Sequence, residues 1–127
     1  MNILIVEDEH EVAEIVREML EELGGRCLHV SDADQADRTL GIETVDAVTL
    51  DLGLGDDDGL DWLERLAESR PELAHRTLVI TGRPLEAETA MRLARCGAGL
   101  LAKPFTAEGL ADAVRAQIEH AIRFCRN

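Results

Sequence analysis

The sequence has no tyrosine, and Trp62, Phe105 and Phe124 are its only aromatic residues. So few rings cannot build a platform for stacking bases. Basic residues are scarce too: 13 Lys and Arg stand against 26 Asp and Glu, for a net charge of −13. A phosphate backbone is repelled by such a surface, so no direct nucleic-acid partner is expected. The acid excess suits solubility, basic partners or divalent cations instead. Cysteine is sparse: Cys27, Cys96 and Cys125 are odd in number and form no CxxC or Cys/His ligand spacing, as core or surface thiols would. His10, His29, His75 and His120 form no paired motif either, so no catalytic or metal-binding histidine is expected. No apolar run approaches the roughly eighteen residues of a membrane span. The opening "MNILIVEDEH" is a short apolar run followed by acids, unlike a signal peptide. A cytoplasmic protein with no membrane partner is the expectation.

What is present is an apolar pattern that keeps changing period. The 127 residues suit one domain spanning 1–127. "NILIV" (2–6) is a continuous run, as in a strand buried on both faces. Val12, Ile15, Val16, Met19, Leu20 and Leu23 then recur at helical spacing until Gly24 and Gly25. "RCLHV" (26–30) reads as a second strand, and Ser31 with Asp34 stands in capping-box spacing at the head of a second helix. A third strand over 45–50 leads into an aspartate-rich loop and a helix over 60–70, which ends near Pro71. "TLVIT" (77–81) is a fourth strand, and "PLEAETAMRLARCG" reads as a helix opened by its proline. "GLLA" (99–102) is a fifth strand, and Thr106 caps a last helix over about 107–124. Five buried strands alternating with five helices predict a parallel sheet covered on both faces. Ligands of such sheets bind outside the carboxyl ends of the strands, near a switch in strand order.

Five residues stand at those ends: Glu7 and Asp8 after the first strand, Asp51 after the third, Thr81 on the fourth and Lys103 after the fifth. If the first and third strands are neighbours, three carboxylates converge. Two like charges about 4 Å apart repel by roughly 4 kcal/mol at an effective dielectric of about 20, which a divalent cation would relieve. All-oxygen ligands favour Mg²⁺, Mn²⁺ or Ca²⁺, and a site with few protein ligands and room for water suits Mg²⁺ best. Lys103 and Thr81 would remain free to hold phosphoryl oxygens.

The set "VEDE" (6–9), "DLGLGDDDG" (51–59), "TG" (81–82) and "KPF" (103–105) resembles the receiver domain of two-component response regulators, in order and spacing, over nearly the whole chain. The resemblance implies a flavodoxin-like, doubly wound, five-stranded parallel sheet of order 2-1-3-4-5 with five helices. It matches Asp51 to the aspartate that accepts a phosphoryl group from a histidine kinase or a histidine phosphotransfer protein. Asp8 matches a direct Mg²⁺ ligand, Glu7 an acid acting through metal-bound water, and the Gly53 carbonyl the backbone ligand, with Asp51 itself the third protein ligand. Mn²⁺ would serve in place of Mg²⁺. Thr81 matches the hydroxyl that bonds the phosphoryl group, and Lys103 the lysine that pairs with it, joined to Pro104 by a cis bond. Positioning and charge then supply most of the chemistry, so the domain partly catalyses its own phosphorylation and dephosphorylation. Val12 and Ile15, just beyond Asp8, match the region where the phosphodonor docks, though both also fit the core stripe of their helix. Asp58 reads as turn or cap, Asp61 as a helix-start acid, and Asp56 and Asp57 as solvated.

The sequence also departs from the family pattern. Gly55 stands where a proline is usual, a more mobile choice. Leu100 stands where a switch aromatic is usual; with Thr81 it is the switch candidate. "RCGAGLLAK" is one residue short before Lys103. Arg83 and Gly53 would flank the phosphoryl group, with Arg83 as phosphate partner or solvated turn. An EF-hand fails at Leu54 and a dinucleotide fingerprint at Asp58. A haloacid-dehalogenase-like phosphatase would need a second aspartate where Gly53 stands. The remaining alternatives are a phosphorylation-independent binding module and a merely solvated acidic surface. No output domain is expected after the last helix, unless the chain is a receiver excised from a larger protein; signalling would then run through protein contacts or onward phosphotransfer. Trp62, near the loop, is expected to report Mg²⁺ by fluorescence.

Overall fold

Short apolar runs become the strands β1 (Asn2–Val6), β2 (Arg26–Val30), β3 (Ala47–Leu50), β4 (Thr77–Thr81) and β5 (Gly99–Ala102) of one sheet. All pairings are parallel, in the order β2-β1-β3-β4-β5. The computed structural model describes residues 1–54 and 57–126. Gly55, Asp56, Asn127 and the side chains of Asp57 and of residues 121–126, Phe124 and Cys125 among them, lie outside the described residues, and so do the expectations placed on them.

The strands alternate their side chains between two cores, as a two-residue period requires. Leu4, Val6, Val48, Leu50 and Val79 face a core shared with helices α2 (Ala33–Ile42), α3 (Gly59–Ser69) and α4 (Ala87–Cys96). Ile3, Ile5, Ala47, Leu78 and Ile80 face the other core, closed by α1 (His10–Glu22) and α5 (Ala107–Arg126). Cys96 is buried in the first core and Cys27 in the second, so these two free thiols lie on opposite faces of the sheet. No helix of the described residues is long and apolar enough to cross a membrane.

Several local details differ from the sequence pattern. The cap of α2 is Asp32, whose carboxylate accepts the Gln35 amide at 2.8 Å, while the Gln35 side chain accepts the Ser31 amide at 3.0 Å. The capping pair is thus Asp32 and Gln35, not Ser31 and Asp34. Pro84 lies outside α4, which starts at Ala87 after an extended Glu86. Leu85 packs against the core and anchors this extended lead-in. A single extra helical turn, Pro71–Ala74, follows α3. Gly53–Leu54 pairs antiparallel with Asp57–Asp58 ahead of α3. Thr106 caps α5, accepting the Gly109 amide at 2.9 Å.

Candidate functional site

Strand register assembles the site. Val6 pairs with Leu50 across β1 and β3, and the Asp51 amide donates to the Val6 carbonyl at 3.0 Å. The next residues, Glu7 with Asp8 and Asp51, therefore emerge side by side. One carboxylate oxygen of each lies within 4.8 Å of the others, with Glu7 buried, Asp51 half-buried and Asp8 exposed. Lys103 reaches in from the far side of the sheet: its Nζ lies 3.3 Å from Glu7 Oε1 and 3.9 Å from Asp51 Oδ2. Its amide donates to the Thr81 carbonyl at 2.9 Å, and its peptide bond to Pro104 is cis. Thr81 is buried; its Oγ1 accepts the Arg83 amide at 3.2 Å, leaving its own proton free to donate.

The loop after β3 aims Asp51 by two devices. The Gly53 amide donates to Asp51 Oδ1 at 3.1 Å. Asp58 caps α3, accepting the Leu60 amide at 2.9 Å, which gives this aspartate a structural role. Gly59 lets the helix start close to the acceptor loop. A Cβ there would stand 2.8 Å from the Asp51 carbonyl oxygen and 2.9 Å from the Leu52 Cα. Both obstacles are backbone, so Gly59→Ala is expected to cost about 1–3 kcal/mol, read as a lowered urea midpoint.

Electrostatics show what the cluster needs. Burial pushes the Glu7 carboxyl up to about 8, helped by its hydrogen bond to Asp51 and the Asp51 charge; Lys103 and the Glu9 amide oppose the shift without cancelling it. At neutral pH Glu7 therefore keeps a proton against Asp51. The unfolded chain, with an ordinary value of 4.5, holds that proton less tightly. The resulting stabilisation is whole below about pH 4.5 and fades as pH rises through about 8. Metal-free protein is thus expected to lose stability from about pH 5 to about pH 8, and Glu7→Gln to flatten that slope in urea titrations. Three crowded oxygen ligands, one of them kept neutral by a proton, fit a small hard dication, which would take that proton's place.

Other residues fall where the pattern alone could not put them. The Arg83 guanidinium crosses from the β4–α4 loop to Gly53, 3.2 Å from where a Cβ would stand. His29 Nε2 donates to the Glu7 carbonyl at 2.7 Å, and His10 meets the His29 ring edge-on at 5.3 Å between centroids. A role for His29 had no signal in the sequence, because only the β1–β2 register brings it there. Asp61 does more than favour a helix start: with Glu64 it binds Arg92 of α4, at 2.9 Å for the Asp61 contact. Trp62 is buried and donates its indole N–H to Asp37 at 2.8 Å. It faces α2, which removes the basis for using it as a reporter of Mg²⁺. Val12 packs against the core, whereas Ile15 is 47% exposed on α1. Leu100, the switch candidate, is 49% exposed on the edge strand β5.

A family model described as the response regulator receiver domain matches residues 3–115. The transcriptional regulatory protein PmrA of Pectobacterium parmentieri is 36% identical over 118 residues, which are 93% of this chain and 52% of that protein. The chain spans between about a quarter and about half the length of the curated relatives it matches. The receiver domain of NtrX from Brucella abortus has a TM-score of 0.82 at 31% identity, covering 92% of this chain and 98% of that one. A response regulator from Burkholderia pseudomallei, solved with a phosphorylated aspartic acid, a calcium ion and citrate, has a TM-score of 0.78 at 30% identity. That match covers 96% of this chain and 74% of the other.

Proposed function

This chain belongs to the response regulator receiver domains, and from that premise we propose that Asp51 accepts a phosphoryl group from a phosphohistidine. The donor is a histidine kinase or a histidine phosphotransfer protein, and residues 1–127 act as one receiver unit in the cytoplasm. The observation that carries this reading is the convergence of Glu7, Asp8 and Asp51 within 4.8 Å, with the Lys103 ammonium 3.9 Å from Asp51.

Each group has a task. The Asp51 carboxylate attacks phosphorus in line; an O–P bond forms as the P–N bond to the donor imidazole breaks, and the imidazole leaves with a proton. The Gly53 amide holds one Asp51 oxygen, which leaves the other as the attacking atom. Asp8, Asp51 and the Gly53 carbonyl would hold Mg²⁺ (or Mn²⁺) directly, with Glu7 acting through a bound water. When bound, the ion opposes the charge that spreads over the phosphoryl oxygens. Lys103 opposes the same charge from the other side. Thr81 donates its free hydroxyl proton to a phosphoryl oxygen. Arg83, lying over Gly53, adds a further positive group at the mouth.

Docking of the donor falls on α1 beside Asp8. Ile15 offers an exposed apolar contact there, with Glu11, Glu14 and Glu18 exposed around it. Val12, turned into the core, supports that face from beneath. The phosphorylated domain signals through protein contacts or passes the phosphoryl group onward, with Thr81 and Leu100 as the switch positions.

The test is chemical. Acetyl phosphate with Mg²⁺ should add one phosphoryl group to the intact mass of the native protein, and chelating the metal should prevent the gain. No gain with Mg²⁺ present would favour the phosphorylation-independent binding module.

A further inference from the structure

At the edge of the sheet away from the phosphoacceptor, two histidines 45 residues apart meet: His75 Nδ1 lies 2.7 Å from His120 Nε2. Their rings are tilted by only 18°, with centroids 4.9 Å apart. That separation is what two rings joined head-on through an N–H···N bond would have, rather than two rings in face contact. His75 ends the short turn before β4, and His120 lies on α5. A second fastening lies one turn back on α5. Gln117 Nε2 donates to the His75 carbonyl at 2.6 Å and to the Gly97 carbonyl at 2.7 Å. Gly97 closes α4 at φ +78°, and a Cβ there would stand 2.3 Å from the His75 ring. The turn before β4, the end of α4 and the later part of α5 are thus gathered around one imidazole pair.

We propose that the His75–His120 pair is a proton-operated latch that fastens the later part of α5 to the edge of the sheet. The chemistry follows from counting protons. In the neutral pair one ring donates to the lone pair of the other. One added proton keeps the bond as a charge-assisted N–H⁺···N contact. A second leaves two donors facing each other, so the bond is lost and like charges repel. Metal binding is the poorer use of the pair: two imidazoles fall short of the three or four protein ligands of a zinc site, and no acid or thiol among the described residues joins them.

Burial, and then the charge of His120, holds His75 below its ordinary value of 6.5. The other ionisable groups are Glu72 and Arg76 at the turn, Glu88, Arg92, Arg95 and Cys96 on α4, and Glu108, Asp112, Arg115 and Glu119 on the part of α5 whose side chains are described. His120 is a charged neighbour that acts on His75. The folded chain therefore takes up the His75 proton less readily than the unfolded chain. The latch's contribution to stability is complete above pH 6.5 and is lost as pH falls below it.

Hydrogen exchange resolved along α5 tests the proposal, at about pH 7.5 and about pH 5 with correction for intrinsic rates. Relative to those of α1 from Ala13 to Leu20, which follow the global pH dependence, amides from Ala113 to His120 should lose roughly tenfold protection at the lower pH. In His120→Gln, which cannot titrate there, the step confined to α5 should vanish. An α5 change that merely matches that of α1 in the native protein would overturn the latch, and so would an α5-specific step that persists in the folded variant. Should the variant not fold, imidazole NMR of the native protein decides. Coupled titration with one step below 6.5 supports the latch, and two independent titrations near 6.5 overturn it.

Discussion

Asp51→Asn is expected to abolish phosphorylation by acetyl phosphate outright, with no mass gain under conditions that modify the native protein. An amide has nearly the shape of the carboxylate, and its oxygen can still accept the Gly53 amide that now reaches Asp51 at 3.1 Å. The loop and the fold should therefore survive, and what disappears is the nucleophile. The same change has a second, independent signature. Asp51 raises the Glu7 carboxyl through both a hydrogen bond and its charge. Without that charge Glu7 should titrate lower, and the decline in metal-free stability should be smaller and end at a lower pH. A mass gain that persists in Asp51→Asn would move the acceptor to another residue.

Asp8→Ala is expected to remove most of the stabilisation that Mg²⁺ gives. A ligand that binds only the folded state stabilises by about 2.7 kcal/mol at a hundred times its Kd, which for a domain of this size is roughly 10 °C in Tm. Asp8 is the exposed member of the carboxylate group, so its loss should leave packing intact while taking a ligand away. Thermal melts with and without Mg²⁺ would show a large shift for the native protein and almost none for the variant. A full shift in Asp8→Ala would mean that Asp8 is not a ligand.

Much of this architecture could be read in the sequence because the central strands β1, β3 and β4 are almost wholly buried. Asn2–Val6 and Thr77–Thr81 have apolar residues on both faces, and the ends of those runs mark where the chain leaves the sheet. In a parallel sheet all such ends share one edge, so Glu7, Asp8, Asp51, Thr81 and Lys103 could be gathered before any distance was known. The third strand begins later than its apolar run suggests. The Asp46 carboxylate accepts the Asn2 amide at 2.6 Å and its own amide donates to the Asn2 carbonyl, holding it just outside the ladder. Periodicity is silent on side chains that meet across long stretches of chain, such as Arg83 over Gly53, Arg92 with Asp61 and Glu64, or His75 with His120. Sequence alone puts the α2 cap one residue early because serine and aspartate are equally good caps, and only the direction of the chain at Asp32 chooses between them.

The grip of Arg92 on Asp61 and Glu64 has a mechanical consequence. It links two neighbouring helices on the same side of the sheet, α3 below the acceptor loop and α4 beyond Thr81. The link is open to water, with the Asp61 side chain 57% exposed, and dissolved ions weaken pairs of this kind. Added salt is therefore expected to loosen this polar link between the helices while the apolar core they share stays packed.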